Sequence, residues 1–296
     1  MKNNILEKYH IEFDIENVNI SVVMTKGFFN LNSEPSVHNH ANYEVHFVME
    51  GSARLETEEG DFELDCLEGC ILPPDLIHNG ISRDEHGIKA SFSFDYRRNK
   101  RKGNVDLYEI FEKSFGLLTG AVKFKNGEKY VNLIREILSA FYSGARSSES
   151  VLKCLFGVLI MYMSESEELS GSENNTSIQR IKSFESGTLM RAVMKEYITC
   201  NSRPSLRELA EIVHLSERQT ARVFEKEFGM GFKEYVSSNR LRSAKYYLSR
   251  TEISINEIPA LLGFGSYNGF YKLFRSKTGM NPEKYRENHK IKGLSL

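Results

Sequence analysis

The chain has 296 residues, 40% hydrophobic and 27% charged, with a formal net charge of −1. This is ordinary globular composition at a length that suits two domains. The start, MKNNILEKYHIEFD, is polar and mixed in charge, unlike a secretory signal, and the longest apolar run, Leu155 to Met163, is too short to cross a bilayer. A cytoplasmic protein with no membrane partner is expected. Charge is unevenly placed. From Thr176 to Leu296 there are 21 Lys and Arg against 12 Asp and Glu, a net of +9 that leaves −10 on the remainder. A basic C-terminal part on an acidic body points to a polyanion partner for that part alone. Among Cys66, Cys70, Cys154 and Cys200 there is no CxxC pair, so free thiols are expected.

Residues 18 to 96 read as strands, short and alternating between turn residues. Ala53 to Thr57 and Phe62 to Asp65 flank Glu58-Glu59-Gly60-Asp61 as a hairpin. Lys89 to Tyr96 alternates again, with Phe92, Phe94 and Tyr96 on one face. His38, His40 and Glu44 share strand parity. In an unbroken strand they face one way, while Tyr43, Val45, Phe47 and Met49 face the other. With His78 downstream, three imidazoles and a carboxylate form a donor set that suits Mn, Fe, Ni or Zn. His46 has the same parity and reads as a packed or exposed histidine.

The spacing His38-x-His40-x3-Glu44-x6-Gly51, followed by Gly69 to His78, resembles the two cupin motifs. That resemblance implies a small β-barrel followed by helices. It has one departure: Asn32 stands where the enzymes have glycine, six residues before the first histidine. In cupin enzymes the set holds a catalytic metal, whereas in regulators it lines a ligand pocket or persists as scaffold. The reading retained is an effector pocket at His38, His40, Glu44 and His78 with no cofactor, and a bound metal is the alternative.

The run Arg97-Arg98-Asn99-Lys100-Arg101-Lys102-Gly103 could touch nucleic acid, but reads as a solvated loop. Helical periodicity follows. Ile134, Ile137, Leu138 and Phe141 share a stripe, and Leu152, Leu155, Phe156, Leu159, Ile160 and Met163 form a wider one. Packing on the strand domain and pairing of two protomers both account for such a stripe. Ser164 to Ser177 is nearly devoid of apolar residues and reads as a linker. The expected organisation is a sensor and dimerisation domain at 1–165, a linker at 166–177 and a DNA-binding domain at 178–296.

The C-terminal part repeats itself. Ser205-Leu206-Arg207-Glu208-Leu209 matches Ser254-Ile255-Asn256-Glu257-Ile258, and each reads as a capping box. Ser216 matches Ser266, Phe224 matches Phe274, and Gly229-Met230 matches Gly279-Met280. Each copy reads as a short helix, a tight turn and a second helix opening on serine, which is helix-turn-helix geometry with the second helix entering the major groove. On the exposed side of those helices stand Arg218 and Arg222 in the first copy. In the second stand Asn268 and Lys272, beside Tyr267 and Tyr271. Arg pairs bidentately with guanine and Asn with adenine. Phe232 to Leu248 reads as a connecting helix, with Tyr235, Leu241, Ala244 and Leu248 as core positions. It would hold the two units so that both enter successive major grooves, ~34 Å apart. Pro259, fifth by the capping-box register, is expected to cost a helical hydrogen bond, and Gly269 to weaken the second reader helix.

Residues 203–286 resemble the DNA-binding domain of the AraC/XylS family of bacterial transcription regulators. The pieces that match are SLRELAEIVHLSERQTARVFEKEFG, RLRSAKYYL and SINEIPALLGFGSYNGFYKLFRSKTGMNPEKYR. The fold class implied is α+β: a cupin-like barrel with following helices, then an all-α domain of two helix-turn-helix units on a linker helix. The function implied is sequence-specific DNA binding, governed by a small molecule in the barrel. Expected partners are double-stranded promoter DNA, an effector such as a sugar or related metabolite, RNA polymerase and a second copy of the chain. A metal-dependent cupin enzyme with a DNA-binding tail, and a regulator that needs no effector, are the competing readings.

Overall fold

The computed structural model describes residues 8–25, 37–82, 87–101, 103–124, 127–143, 148–170, 193–194, 197–198 and 203–290. The chain divides into two compact units, residues 1–36 with 40–189, and residues 190–296 with 37–39.

The first unit is built on strands β1 (Lys8–Ile15), β2 (Val18–Thr25), β3 (Tyr43–Glu50), β4 (Ala53–Thr57), β5 (Asp61–Leu64), β6 (Gly69–Leu72), β7 (His78–Ser82), β8 (Ile88–Arg98) and β9 (Val122–Phe124). They form two antiparallel sheets, ordered β1-β2-β8-β3-β6-β9 and β5-β4-β7. The expected hairpin is present, with Leu55 opposite Phe62 and Glu56 opposite Asp61. Thr57 closes its turn, since its hydroxyl accepts from the Glu59 and Gly60 amides and donates to the Gly60 carbonyl.

Strand β1 lies upstream of the region expected to form strands. Its alternating Ile11, Phe13 and Ile15 supply the apolar face, and the turn to β2 is Glu16-Asn17, with Glu16 at φ 49°. No glycine marks that turn, so the hairpin is inconspicuous in the sequence.

One face of the large sheet is covered by helices α1 (Leu107–Ser114), α2 (Glu128–Ser143) and α3 (Ser148–Ser164). Val45, Phe47, Phe92 and Phe94 from the sheet meet Phe111, Ile134, Ile137, Phe156 and Leu159 from the helices in one core. The stripe on α3 is therefore mainly core: Leu152, Phe156, Leu159, Ile160 and Met163 are buried and Leu155 is partly so. Gly157 lets α3 approach β1 closely, because a Cβ there would stand 2.7 Å from Ile15 Cδ1. The other face of the sheet meets the small sheet through Val48, Ala53, Leu55, Leu64, Cys70 and Leu72.

The basic run is partly strand end and is tied down by acids. Arg97 pairs with Glu12 and donates to Asn19, Arg98 pairs with Asp106, and Arg101 with Asp14. The expected linker begins with structure: Glu167–Ser170 is a helical turn, α4, with Leu169 buried in the core. Residues 171–177 of that expectation, and Cys200, lie outside the described residues.

The second unit contains α5 (Leu206–Ile212), α6 (Glu217–Phe228), α7 (Phe232–Arg250), α8 (Ile258–Leu261), α9 (Tyr267–Thr278) and α10 (Pro282–His289). It has two small cores. Met194, Tyr197, Leu209 and Phe224 form one with Phe232, Tyr235 and Val236 from the start of α7. Ile258, Phe270 and Phe274 form the other with Ala244 and Leu248 from its end. Of the positions expected to face the core, Tyr235, Ala244 and Leu248 are buried and Leu241 is partly buried.

The α3 assignment sets an order of effects. Leu159→Ala is expected to cost about 2–5 kcal/mol by leaving a cavity, whereas Val158→Ser, at an exposed neighbour, should stay within ~0.5 kcal/mol. Urea unfolding followed by circular dichroism checks this, and the reverse order would contradict the packing.

Candidate nucleic-acid interface and sensor site

The repeat in sequence is a repeat in structure. Helices α6 and α9 both start at a serine N-cap, Ser216 and Ser266, whose hydroxyls accept from the Gln219 and Gly269 amides. Both end at a glycine in the left-handed region, Gly229 at φ 70° and Gly279 at φ 74°, a conformation that costs glycine nothing. Both bury a phenylalanine, Phe224 or Phe274, against α7. In α6 the Gln219 side chain reaches back to the Ser216 amide and completes a capping box.

The helices before them are capped less regularly than the sequence implies. Ser205 caps α5 through the Glu208 amide, but the Ser205 amide donates to the Tyr197 hydroxyl, which donates in turn to Glu208. In the second copy Glu257 does accept from the Ser254 amide. Residues 255–257 there form a turn, and α8 begins only at Ile258. Pro259 thus stands in the first turn of α8, where its missing N–H would be unsatisfied anyway. The expected mid-helix defect is a shortened helix instead.

Arg218 and Arg222 are exposed on α6, and Asn268 and Lys272 on α9. Tyr267 and Tyr271 are half-buried, and the Tyr267 hydroxyl donates to Glu283 at 2.6 Å, which ties it to α10. Arg286 of α10 donates to the Leu248 and Ile253 carbonyls, fastening α10 across the end of α7. The groups that face outward are thus the polar and basic ones, while the aromatics secure the reader helices from behind.

His38, His40, Glu44 and His78 each bring one potential ligand atom within 4.8 Å of the others. Glu44 is the second residue of β3, opposite Leu72 of β6 and Ser93 of β8. Its Oε2 lies 3.0 Å from both His40 Nε2 and His78 Nε2, and its Oε1 lies 3.5 Å from His46 Nε2. His78 is buried at the start of β7, and its Nδ1 stands 3.0 Å from the Leu76 carbonyl. A carbonyl only accepts, so Nδ1 carries the proton and Nε2 is turned toward Glu44. Burial would raise the Glu44 pKa, but His40 and His46 outweigh it and hold the carboxyl well below the usual carboxylate range. Burial pushes His46 down to about 4, with Lys89 and His78 adding to the effect and Glu44 opposing it. His46 is thus a packed, neutral imidazole and stands outside the four-residue group. The donor chemistry of that group fits a divalent transition metal.

A sheet domain with a polar cluster, and a separate pair of capped helix-turn-helix units, define a DNA-binding regulator with a sensor domain. The AraC-like ligand binding domain family matches residues 32–144, and a helix-turn-helix domain family matches residues 209–288. The Msm operon regulatory protein of Streptococcus mutans is 23% identical over 300 residues, covering 96% of this chain and 98% of that protein. The uncharacterized HTH-type transcriptional regulator SAR0107 of Staphylococcus aureus is 34% identical over 245 residues, 82% of this chain but 31% of its own length. The bifunctional transcriptional activator/DNA repair enzyme AdaA of Bacillus subtilis is 34% identical over 101 residues, 33% of this chain and 48% of that protein. The chain belongs to the AraC family of DNA-binding transcription regulators. Among the described residues, no helix is long and apolar enough to cross a membrane.

Proposed function

We propose that this protein is a homodimeric regulator, with no enzymatic activity, that reads promoter DNA through α6 and α9 under the control of a small molecule held in the first unit. The observation that carries the reading is the matched pair of capped helices with outward Arg218 and Arg222, and Asn268 and Lys272. The arginines suit guanine edges, Asn268 suits adenine, and Lys272 meets the backbone or a base as a point charge. Tyr271 flanks them, and Tyr267 acts by fixing the helix through Glu283. RNA polymerase is the second macromolecular partner, and the organisation into a sensor near 1–165 and a reader at 178–296 follows from the same reading.

The reader assignment is tested on the full chain bound to its promoter at one salt concentration. Arg222→Ala is expected to cost ~1–3 kcal/mol and to relax preference at one operator position, and Lys272→Ala to cost less because lysine lacks the bidentate fork. Equal losses, or a larger loss at Lys272, would make α9 the main reader.

Pairing is assigned to the outer face of α3, where Val151, Val158 and Tyr162 are 42%, 39% and 44% exposed, opposite the face that is core. Such a row of large apolar side chains favours association with a like surface. Sedimentation of the Val158→Asp/Tyr162→Asp variant should give a folded monomer where the parent is a dimer. A parent that is itself a monomer at micromolar concentration would refute the assignment.

A bound metal is the second reading, favoured by the convergence of two imidazole nitrogens on one carboxylate oxygen at 3.0 Å. His40, Glu44 and His78, with His38, would hold it, and the ion would supply a Lewis-acid anchor for an oxygen of the effector. Purified protein should then carry about one transition metal per chain, and chelation should lower its melting temperature. Metal-free protein whose stability ignores added zinc, manganese or nickel would leave the four residues as pocket lining.

A further inference from the structure

Strand β8 is internal to the six-stranded sheet, with β2 on one side and β3 on the other. Its face toward the helices is fully packed, with Ala90, Phe92, Phe94 and Tyr96 buried. Its other face carries Lys89, Ser91, Ser93 and Asp95, and every one of these is half-exposed. Polar, half-exposed side chains in the middle of a sheet face a space that solvent reaches. At Lys89 that space borders the small sheet. Lys89 extends across it, and a Cβ built on Gly80 of β7, in the small sheet, would stand 3.2 Å from the Lys89 ammonium and 3.8 Å from Leu55 Cδ1. Gly80 thus keeps clear the spot where the ammonium rests. The Lys89 charge acts on the buried His46 and Cys70 nearby. Among the described residues, no carboxylate pairs with it.

A lysine that enters such a space without a carboxylate partner forgoes part of its hydration and receives no fixed charge in return. An anionic group on a ligand would supply that charge. The register sets Val48 opposite Lys89 and places polar groups in line beyond it, His46 opposite Ser91 and Glu44 opposite Ser93.

We propose that the effector is a small hydroxyl-bearing acid, a carboxylate or phosphate of sugar size. Its anionic group pairs with Lys89, and its hydroxyls meet Ser91 and Ser93. This rests on the reading of the first unit as an effector domain. The hydroxyls of Ser91 and Ser93 donate and accept, as a polyol requires. The ammonium selects for charge.

The test uses the full chain and three probes: gluconate, glucose 6-phosphate and glucose. Thermal shift and calorimetric titration are read for each. Stabilisation by at least one acidic probe and none by glucose is expected, and which acid binds separates a carboxylate effector from a phosphate one. Lys89→Met should weaken that binding roughly tenfold or more, as loss of a charge-assisted contact does, and Lys89→Arg should retain most of it. Unliganded Lys89→Met should melt no lower than the parent, since among the described residues the ammonium has no carboxylate to lose. A lower melting temperature would mark the lysine as structural and overturn the assignment. Equal binding of glucose and the acids, or binding unchanged in Lys89→Met, overturns the acid inference and leaves the effector pocket standing. If no acidic probe binds the parent chain, the acid inference falls. If a panel of neutral metabolites is silent as well, the effector reading falls with it.

Discussion

The helix Phe232–Arg250 is the constraint on which the DNA-reading half of the molecule depends. Neither helix-turn-helix unit has a sizeable core of its own. Each completes its core with one end of this helix, Phe232, Tyr235 and Val236 on one side and Ala244 and Leu248 on the other. Nineteen residues at 1.5 Å per residue make a carrier of roughly 28 Å. Because the carrier is part of both cores, the reader helices cannot change their separation without opening one of them. The Arg286 bonds to the Leu248 and Ile253 carbonyls add a brace at the end where the helix terminates.

The sensor half is organised by a division of faces. Odd-numbered residues of β3 pack under the helices, and the even-numbered Glu44, His46 and Val48 turn toward the small sheet. Strand β8 divides the same way, with aromatics packed toward the helices and Lys89, Ser91, Ser93 and Asp95 on the opposite face. The period of two along each strand therefore does two tasks at once. One parity anchors the helices that carry the exposed row on α3, and the other builds a polar interior where charge can recognise a ligand.

Much of this was legible in the sequence because the signals were local and redundant. The matched serine caps, buried phenylalanines and terminal glycines are each weak alone, but their recurrence at one spacing located both helix-turn-helix units. His38, His40, Glu44 and His78 do come together in one group, but not by the parity of one unbroken strand, since β3 begins only at Tyr43 and residues 41–42 bend before it. What the sequence left open depended on long-range contacts. The α3 stripe could not be divided between core and outer surface until the sheet beneath it was placed. Strand β1 was hidden by a turn without glycine. Pro259 was assigned to mid-helix because the serine cap set the register, whereas the chain takes up a turn first and starts the helix one residue before the proline. Nothing in the sequence singles out Lys89, since no local signal distinguishes a lysine that reaches toward a second sheet from one on the surface.

The central claim is that one rigid carrier presents two reader helices to the same face of DNA. Hydroxyl-radical footprinting of the full chain on its promoter measures this directly. The account predicts, for each protomer, two protected segments on one face of the duplex, centred about 10 base pairs apart, the spacing of successive major grooves. A single protected segment per protomer, or two segments half a helical turn out of phase, would contradict it.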